Sequence, residues 1–448
     1  MRVLFLVLLS YAFYCSWSMK AAVALAATTI LTFVAGKLIG HSGSKHRAGI
    51  TSLVAVVILS GYLIFFKIVA VTPIPRLGRL IMPLGVSYYT FKLLSYVIDV
   101  YWGTIEPRPS FLSFAASIVF FPQIVAGPIQ RPADFIRQLP PIQTRLSQGT
   151  PRLVWGIAKK IFIADKLAPA VIYVFGHTKG LHGSELLAGF YLFPLQLYVD
   201  FSALTDIAIG MGLLFGIEGP ENFNRPFTAS SISEFWRRWH MSLTRWLTDY
   251  VFIPLRMATR TGGTAGLAFS ITVNMMAIAL WHGLTWGCVM FGLVNAGCLV
   301  VDALTARGRT RFFKAHPRLD GPGSWLGWLL TFHLVFIGLV FFRAQTLSDA
   351  AWLLSHSLRG LSPVRSGLSH LMAAAGAHSL TQGLVGYVAL ELAERYRPDN
   401  WWRRVESALP LWVQWSVRVA MTVVVAIGLF ALTVRSGGQQ MPFLYQVF

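Results

Sequence analysis

Stretches of about twenty consecutive apolar residues recur along the whole chain, and a helix of that length is what a hydrocarbon layer of about 30 Å requires. They lie near 3–19, 21–40, 50–71, 152–175, 186–216, 264–282, 284–303, 325–343, 371–393 and 411–434. Two further apolar runs, 80–98 and 111–127, carry breakers at Pro83-Leu84-Gly85 and at Pro122. Broken helices at membrane depth are tolerated only where protein or a cavity surrounds them, so these two read as half-helices or re-entrant segments. The pattern predicts a single all-α integral-membrane domain over residues 1–448 with about ten to twelve spans.

Composition agrees. Of 448 residues, 55% are hydrophobic and only 12% charged, with a mean hydropathy of +0.59. A soluble domain carries about 25% charged residues, so a water-soluble enzyme and a disordered chain are both excluded. The net charge of +20 sits in short clusters between the apolar runs: Lys45 with Arg47, Arg131 to Lys160, Arg225 to Arg260, Arg307 to Arg318 and Arg395 to Arg404. That is the pattern of cytoplasmic loops beside a bilayer, not of a nucleic-acid groove, and it starts the chain on the cytoplasmic side. Cys15, Cys288 and Cys298 show no CxxC spacing, so neither a disulfide framework nor a zinc knuckle is indicated. The first apolar run has large aromatics where small cleavage-site residues belong, which marks a retained helix. No inverted repeat relates the two halves, which counts against a duplicated transporter bundle.

Three segments carry polar chemistry. In the first, Glu221 to Arg256, Ser231 and Glu234 form an S-x-x-E capping box, so a helix is predicted from Ile232 until Pro254 interrupts it. Helical spacing puts Trp236, His240, Leu243 and Leu247 on one face and Arg237, Arg238, Met241 and Arg245 on another. Residues 221–260 then read as a cytoplasmic, interfacial amphipathic segment. Its Trp and Arg residues either anchor at the headgroups or also collect a polyphosphorylated donor.

The second segment, VNMMAIALWHGLTWG, is apolar and holds one titratable residue, His282. An ionisable group at membrane depth marks a pathway or reaction centre by default, although any single buried His is as often structural. Neutral imidazole accepts a proton from a hydroxyl at physiological pH, the step that acyl transfer to an alcohol requires. Asn274 lies about 12 Å before it along a helix, on the same face, and suits lining or packing better than catalysis. In the third segment Gln196, Asp200, Ser202, Thr205 and Asp206 crowd an apolar run and must face protein or a cavity; an internal network is the preferred reading. His333 and Arg343 read as packing and boundary residues.

The ordered blocks PLGVSYYTFKLLSYVIDVYWG, VAGPIQRPADF, GIAKKIFIADKLA, LQLYVDFSALTDIAIGMGLLFG, ENFNRPF, SEFWRRWHMSLTRWLTDYVFIPL, WHG and VFFRA, with a C-terminal PFLYQVF, resemble the membrane-bound O-acyltransferases. The similarity is greatest to the branch containing the membrane component of alginate O-acetylation. It implies a helical bundle with a central funnel or tunnel, in which a thioester enters from the cytosol and the acceptor from the opposite face. It matches the family's intramembrane histidine to His282 and a second characteristic histidine to His240. Asn222, Asn224, Trp236, Arg237, Arg238, Trp239, Asn274, Trp281 and Asp200 are then candidates for donor binding or tunnel lining.

The resulting expectation is a multi-pass enzyme of the bacterial inner membrane. It would move acetyl from acetyl-CoA toward an exported polysaccharide, with a periplasmic acyltransferase partner of the SGNH type and with no metal. His282 would be general base, and His240 would orient the donor or stabilise developing charge. Two rivals remain at this stage: D-alanyl transfer from a phosphopantetheine carrier toward teichoic acid, and transport of a glycan precursor with His282 and Asp200 as proton-coupling sites.

Overall fold

A computed structural model describes residues 1–71, 83–105, 110–139, 144–181, 183–359, 364–396 and parts of 408–423. Most of the span expected at 411–434, and the C-terminal PFLYQVF, lie outside the described residues. No strand occurs among the described residues, and six helices are long and apolar enough to cross a membrane: Met19–Gly40, Lys45–Val69, Ser184–Leu214, Arg260–His282, Trp286–Ala315 and Pro317–Arg343. Leu53, Val57 and Ile58 turn outward from their helix, a placement that lipid rather than water stabilises. The protein is an all-α, multi-pass membrane protein.

The chain divides into two compact units, the first made of 1–153 and 205–220. Its helices are α1 (Arg2–Trp17), α2 (Met19–Gly40), α3 (Lys45–Val71), α4 (Val86–Trp102) and α5 (Phe111–Val119). Ser18 ends α1 and caps α2, its side chain accepting from the Ala21 N–H at 3.3 Å. Both breaks expected from the sequence are present. At Gly85 the backbone turns left-handed (φ 68°), and a Cβ there would lie 1.7 Å from the Ile124 carbonyl oxygen, so only glycine fits. The second run stops at Phe120 and resumes as the single turn Phe121–Ile124. Lys92, fully inside this unit, donates to the Ser117 carbonyl (3.0 Å) and Gln123 Oε1 (3.2 Å); Gln123 passes to Gln130 and Gln130 to the Glu218 carbonyl.

The second unit holds 154–204 and 221–448. Helix α6 (Leu146–Lys159) enters it and continues through a π-helical turn, Lys160–Ala164, into α7 (Asp165–Gly176); α8 (Ser184–Leu214) runs back out of it. The π turn brings Lys160 Nζ to 2.7 Å from Asp200 and 3.0 Å from Asp165, while Lys159 donates to Ser202 Oγ at 3.1 Å. The polar crowding on α8 is thus an internal network, as expected, supplied with cations by the neighbouring helix; Asp206, in the first unit, pairs with Arg152 at 2.9 Å.

The remaining helices are α9 (Ile232–Arg238), α10 (Met241–Leu247), α11 (Ile253–Ala258), α12 (Gly263–His282), α13 (Trp286–Ala315), α14 (Asp320–Arg343), α15 (Leu347–His356), α16 (Val364–Ala375) and α17 (Ala377–Tyr396). Helices α12, α13 and α14 form an up-down-up layer. The α12–α13 turn is closed by Thr285, whose hydroxyl accepts from the Cys288 N–H. Gly292 lets α13 approach Ala279 and Met276, and Gly338 does the same for Asn295 against α14. Tyr191 on α8 is 3.1 Å from His333 Nε2, which bears out the packing role expected for that histidine. The span expected at 371–393 is instead two helices, because Gly376 adopts φ 77° between them.

Candidate active site

The 221–258 segment is a helix–break–helix, not the single helix expected. Helix α9 begins as predicted, with the Ser231 side chain accepting from the Glu234 N–H. Glu234 turns to Ser230, accepting from its N–H (2.8 Å) and hydroxyl (2.9 Å), and pairs with Arg238 at 2.5 Å. Burial, which raises a carboxyl, is outweighed by those two Ser230 bonds and by Arg238, so Glu234 is held below the ordinary carboxylate range. The helix then ends: Trp239 is extended and His240 is left-handed at φ 43°, a conformation that costs a non-glycine residue about 1–2 kcal/mol.

Asn222 holds that break in place. Its carbonyl oxygen accepts from the Met241 N–H (2.9 Å), and its side-chain Oδ1 accepts from the Ser242 hydroxyl (2.6 Å) and N–H (3.3 Å). Two residues on, the Asn224 N–H donates to the Arg238 carbonyl at 3.0 Å. The stretch 222–224 therefore clips both sides of the kink. Since Asn222 Oδ1 accepts from a backbone N–H, it is also an acceptor toward His240 Nδ1, 3.4 Å away. Nδ1 consequently carries the ring proton and Nε2 the lone pair.

Contacts along the layer set the register of the hairpin. The Ser233 N–H donates to Asp302 and Trp236 Nε1 to Asn295 Oδ1 (3.2 Å), so α9 runs antiparallel to α13. Beyond the kink, Thr259 Oγ1 meets Gly266 and Ser270, so α10 and α11 run antiparallel to α12. His240 is the apex, and its ring lies 5.9 Å from that of Trp281. It also stands edge-on to Phe201 at 4.8 Å and is 1% exposed. Burial lowers its pKa to about 3, so it is neutral at physiological pH.

His282 is the last residue of α12 rather than an interior one, and it is half-buried. Its ring lies 4.6 Å from Trp281 and 5.0 Å, edge-on, from Phe342. Trp281 thus touches both histidines, and the three form one aromatic cluster at the end of α12. Leu284 and Trp286 are exposed beside it. Two turns back, Asn274 Oδ1 is buried with no hydrogen-bond partner among the described residues.

Other sequence candidates lie elsewhere. Trp236 is buried against α13, not at a headgroup, because Asn295 satisfies its indole N–H. Arg238 is tied to Glu234 and to Thr228 Oγ1 (2.7 Å), which takes it out of any phosphate-collecting face; Arg237 remains exposed. Trp239 packs among Phe223 and Phe235. Asp200 belongs to the Lys160 ion pair. The sequence reading missed Ser242, Phe201 and Phe342; each is an ordinary core residue by pattern, and none carries a local signal.

A family model described as the membrane-bound O-acyltransferase family matches residues 106–342, and the chain belongs to that family. The protein is an O-acyltransferase. It is 34% identical over 372 residues to the probable alginate O-acetylase AlgI of Pseudomonas aeruginosa, covering 78% of this chain and 68% of that one. It is 29% identical over 412 residues to the peptidoglycan O-acetyltransferase of Helicobacter pylori, covering 82% and 75%. To the teichoic acid D-alanyltransferase of Bacillus subtilis it is 27% identical over 286 residues, covering 60% and 70%. The branch is the one that holds alginate O-acetylase.

Proposed function

We propose that the protein transfers acetyl from acetyl-CoA, taken up on the cytosolic side of a bacterial inner membrane, to a hydroxyl of or destined for an exported polysaccharide. The observation that supports this most is the meeting of His282 and His240 on one tryptophan at the end of a membrane-spanning helix. Half-buried His282 acts as general base: its ring nitrogen takes the acceptor hydroxyl proton, the oxygen attacks the thioester carbonyl, and the C–S bond breaks. The imidazolium then returns the proton to the departing thiolate, leaving ester and free thiol.

His240 has a different part. Neutral, with Nδ1–H turned to Asn222, it presents a lone pair and not a second donor, so it orients an N–H group of the donor rather than stabilising an oxyanion. Asn274 lines the donor path two turns away. The basic cluster Arg225 to Arg260 marks the cytosolic side under the positive-inside rule, and a periplasmic SGNH-type partner receives or relays the acyl group.

Purified protein in nanodiscs, given labelled acetyl-CoA and an oligosaccharide acceptor, should release free thiol and label the acceptor. His282→Ala should lower that rate about 10²–10⁴-fold. Turnover with D-alanyl carrier protein but not with acetyl-CoA would overturn the donor assignment, and full activity in His282→Ala would overturn the base.

A further inference from the structure

Arg343 lies at the same membrane end as His282. It is the last residue of α14, directly after Phe342, whose ring meets His282 edge-on. Under the positive-inside rule the basic clusters at 225–260 and 307–318 put the start of α12 and the end of α13 on the cytosolic side, so His282 and Arg343 both close their helices on the opposite side. An arginine that merely marked the membrane boundary would send its side chain outward to the headgroups. This one turns inward: its guanidinium carbon lies 5.4 Å from the centre of the Phe175 ring on α7, and Phe175 is 3% exposed.

Its polar groups are unanswered. Arg343 is half-buried, its Nε is shut away from solvent with no hydrogen-bond partner, and no hydrogen bond or ion pair reaches the guanidinium among the described residues. The carboxylates around this end are engaged elsewhere. Asp349 on α15 accepts from Thr346 Oγ1 at 2.7 Å and pairs with Lys179, which cancels its charge. Glu185 faces α16, where Gly367 and His370 meet it, and not the Tyr191 side of α8 that packs on α14. One uncancelled positive charge therefore remains. A cation held at a membrane end without a counter-ion is costly, and such a group marks a site that an anion completes.

We propose that Arg343 binds the carboxylate of an acidic sugar in the acceptor, on a unit next to the one whose hydroxyl His282 deprotonates; this rests on the acetyl-transfer reading above. Successive residues on a helix point about 100° apart, so the cation stands beside the aromatic neighbour of the imidazole and not against the imidazole itself, a placement for an adjoining unit and not for the reacting one. With Nε closed off, the stacked guanidinium offers the edge made by its two terminal nitrogens, and a planar carboxylate accepts two parallel N–H bonds from such an edge. A thioester arriving from the cytosol approaches His282 from the other side, and a lipid headgroup would meet a side chain turned outward.

The test is equilibrium binding to the purified full-length protein in zwitterionic nanodiscs with no donor present, so the readout is independent of the donor's identity. The probes are an oligoglucuronate, the same oligosaccharide with its carboxyls reduced to alcohols, and a glycerol-phosphate oligomer. Wild type should bind the first at least about tenfold more tightly than the second. Arg343→Gln should bind both as wild type binds the reduced form, and Arg343→Lys should keep only part of the preference, because an ammonium lacks the fork. Arg359→Gln, at an exposed cation beyond α15, should change the preference less than about twofold. Equal wild-type affinity for the acidic and reduced forms would overturn the proposal, as would equal losses in Arg359→Gln and Arg343→Gln, which show diffuse attraction. Weaker binding of both forms by Arg343→Gln with the preference kept would make the residue structural and overturn it too. Tighter binding of the glycerol-phosphate oligomer would reassign Arg343 to a phosphodiester. A wild type that prefers the acidic form in binding but transfers no acetyl to it would leave this role standing and overturn the acetyl-transfer reading instead.

Discussion

Replacing Asn222 tests how the left-handed kink and the charge state of its histidine depend on one side chain. Asn222→Ala removes the acceptor of the Ser242 hydroxyl and N–H and the partner of His240 Nδ1, at a residue with no exposure to solvent. Each neutral bond is worth about 1 kcal/mol, and a buried donor left unmade costs about 1–3, so a loss of about 2–4 kcal/mol is expected. Asn222→Asp keeps both Ser242 bonds and adds a negative charge 3.4 Å from the imidazole, which should raise the His240 pKa by about 1–3 units from its value near 3.

The sign follows from linkage. A histidine held neutral by burial stabilises the fold fully above its unfolded pKa near 6.5, and that contribution is lost as pH falls toward 3. Its size is at most about 4–5 kcal/mol. In Asn222→Asp the folded value moves toward the unfolded one, so the acid loss attributable to His240 becomes smaller, while the pH at which His240 gains its proton rises. Unfolding midpoints followed by tryptophan fluorescence from pH 4 to 8, beside pH–rate profiles of thioester turnover, read both quantities. Asn222→Ala as stable as wild type, or Asn222→Asp with an unmoved acid limb and an unmoved midpoint, would refute the coupling.

Three further outcomes are expected. Asp200→Ala should lower stability by about 1–3 kcal/mol in a thermal assay, since it removes a 2.7 Å charged hydrogen bond from buried Lys160 while leaving Asp165 beside it. If Asp200→Ala leaves the midpoint in place but abolishes turnover, Asp200 serves the reaction and not the fold. Gly85→Ala should prevent accumulation of folded protein or lower its midpoint strongly, as Cβ meets the Ile124 carbonyl; a wild-type melting curve would contradict the left-handed turn. Asn295→Leu should cost about 1–3 kcal/mol by leaving the Trp236 N–H unsatisfied, and Trp236→Phe in that background should restore part of it.

The sequence showed most of what depends on local chemistry. Apolar length marked α2, α3, α8, α12, α13 and α14; Pro83-Leu84-Gly85 and Pro122 marked the broken segments; Ser231 marked the start of α9. It did not show the kink at His240, because the pattern from Ile232 to Pro254 is continuous and the break is imposed by Asn222, eighteen residues away. The ion pair of Asp200 was hidden for a similar reason, since its lysine sits in a π turn forty residues upstream that has no sequence signature. Gly376 was legible in principle but was absorbed into an apolar run. Of the site, the histidines and Trp281 stood out by chemistry, whereas Phe201, Phe342 and Ser242 are recognisable only once folding brings them together.

The most direct measurement is the structure of the protein bound to a non-hydrolysable acetyl-CoA analogue in nanodiscs. The proposed chemistry puts the carbon that mimics the thioester carbonyl within about 3.5 Å of an acceptor hydroxyl that His282 touches. The pantetheine arm should then pass Asn274 and reach His240. An analogue bound with its reactive carbon remote from His282, or the His282 ring closed off by packed side chains in the bound state, would contradict it.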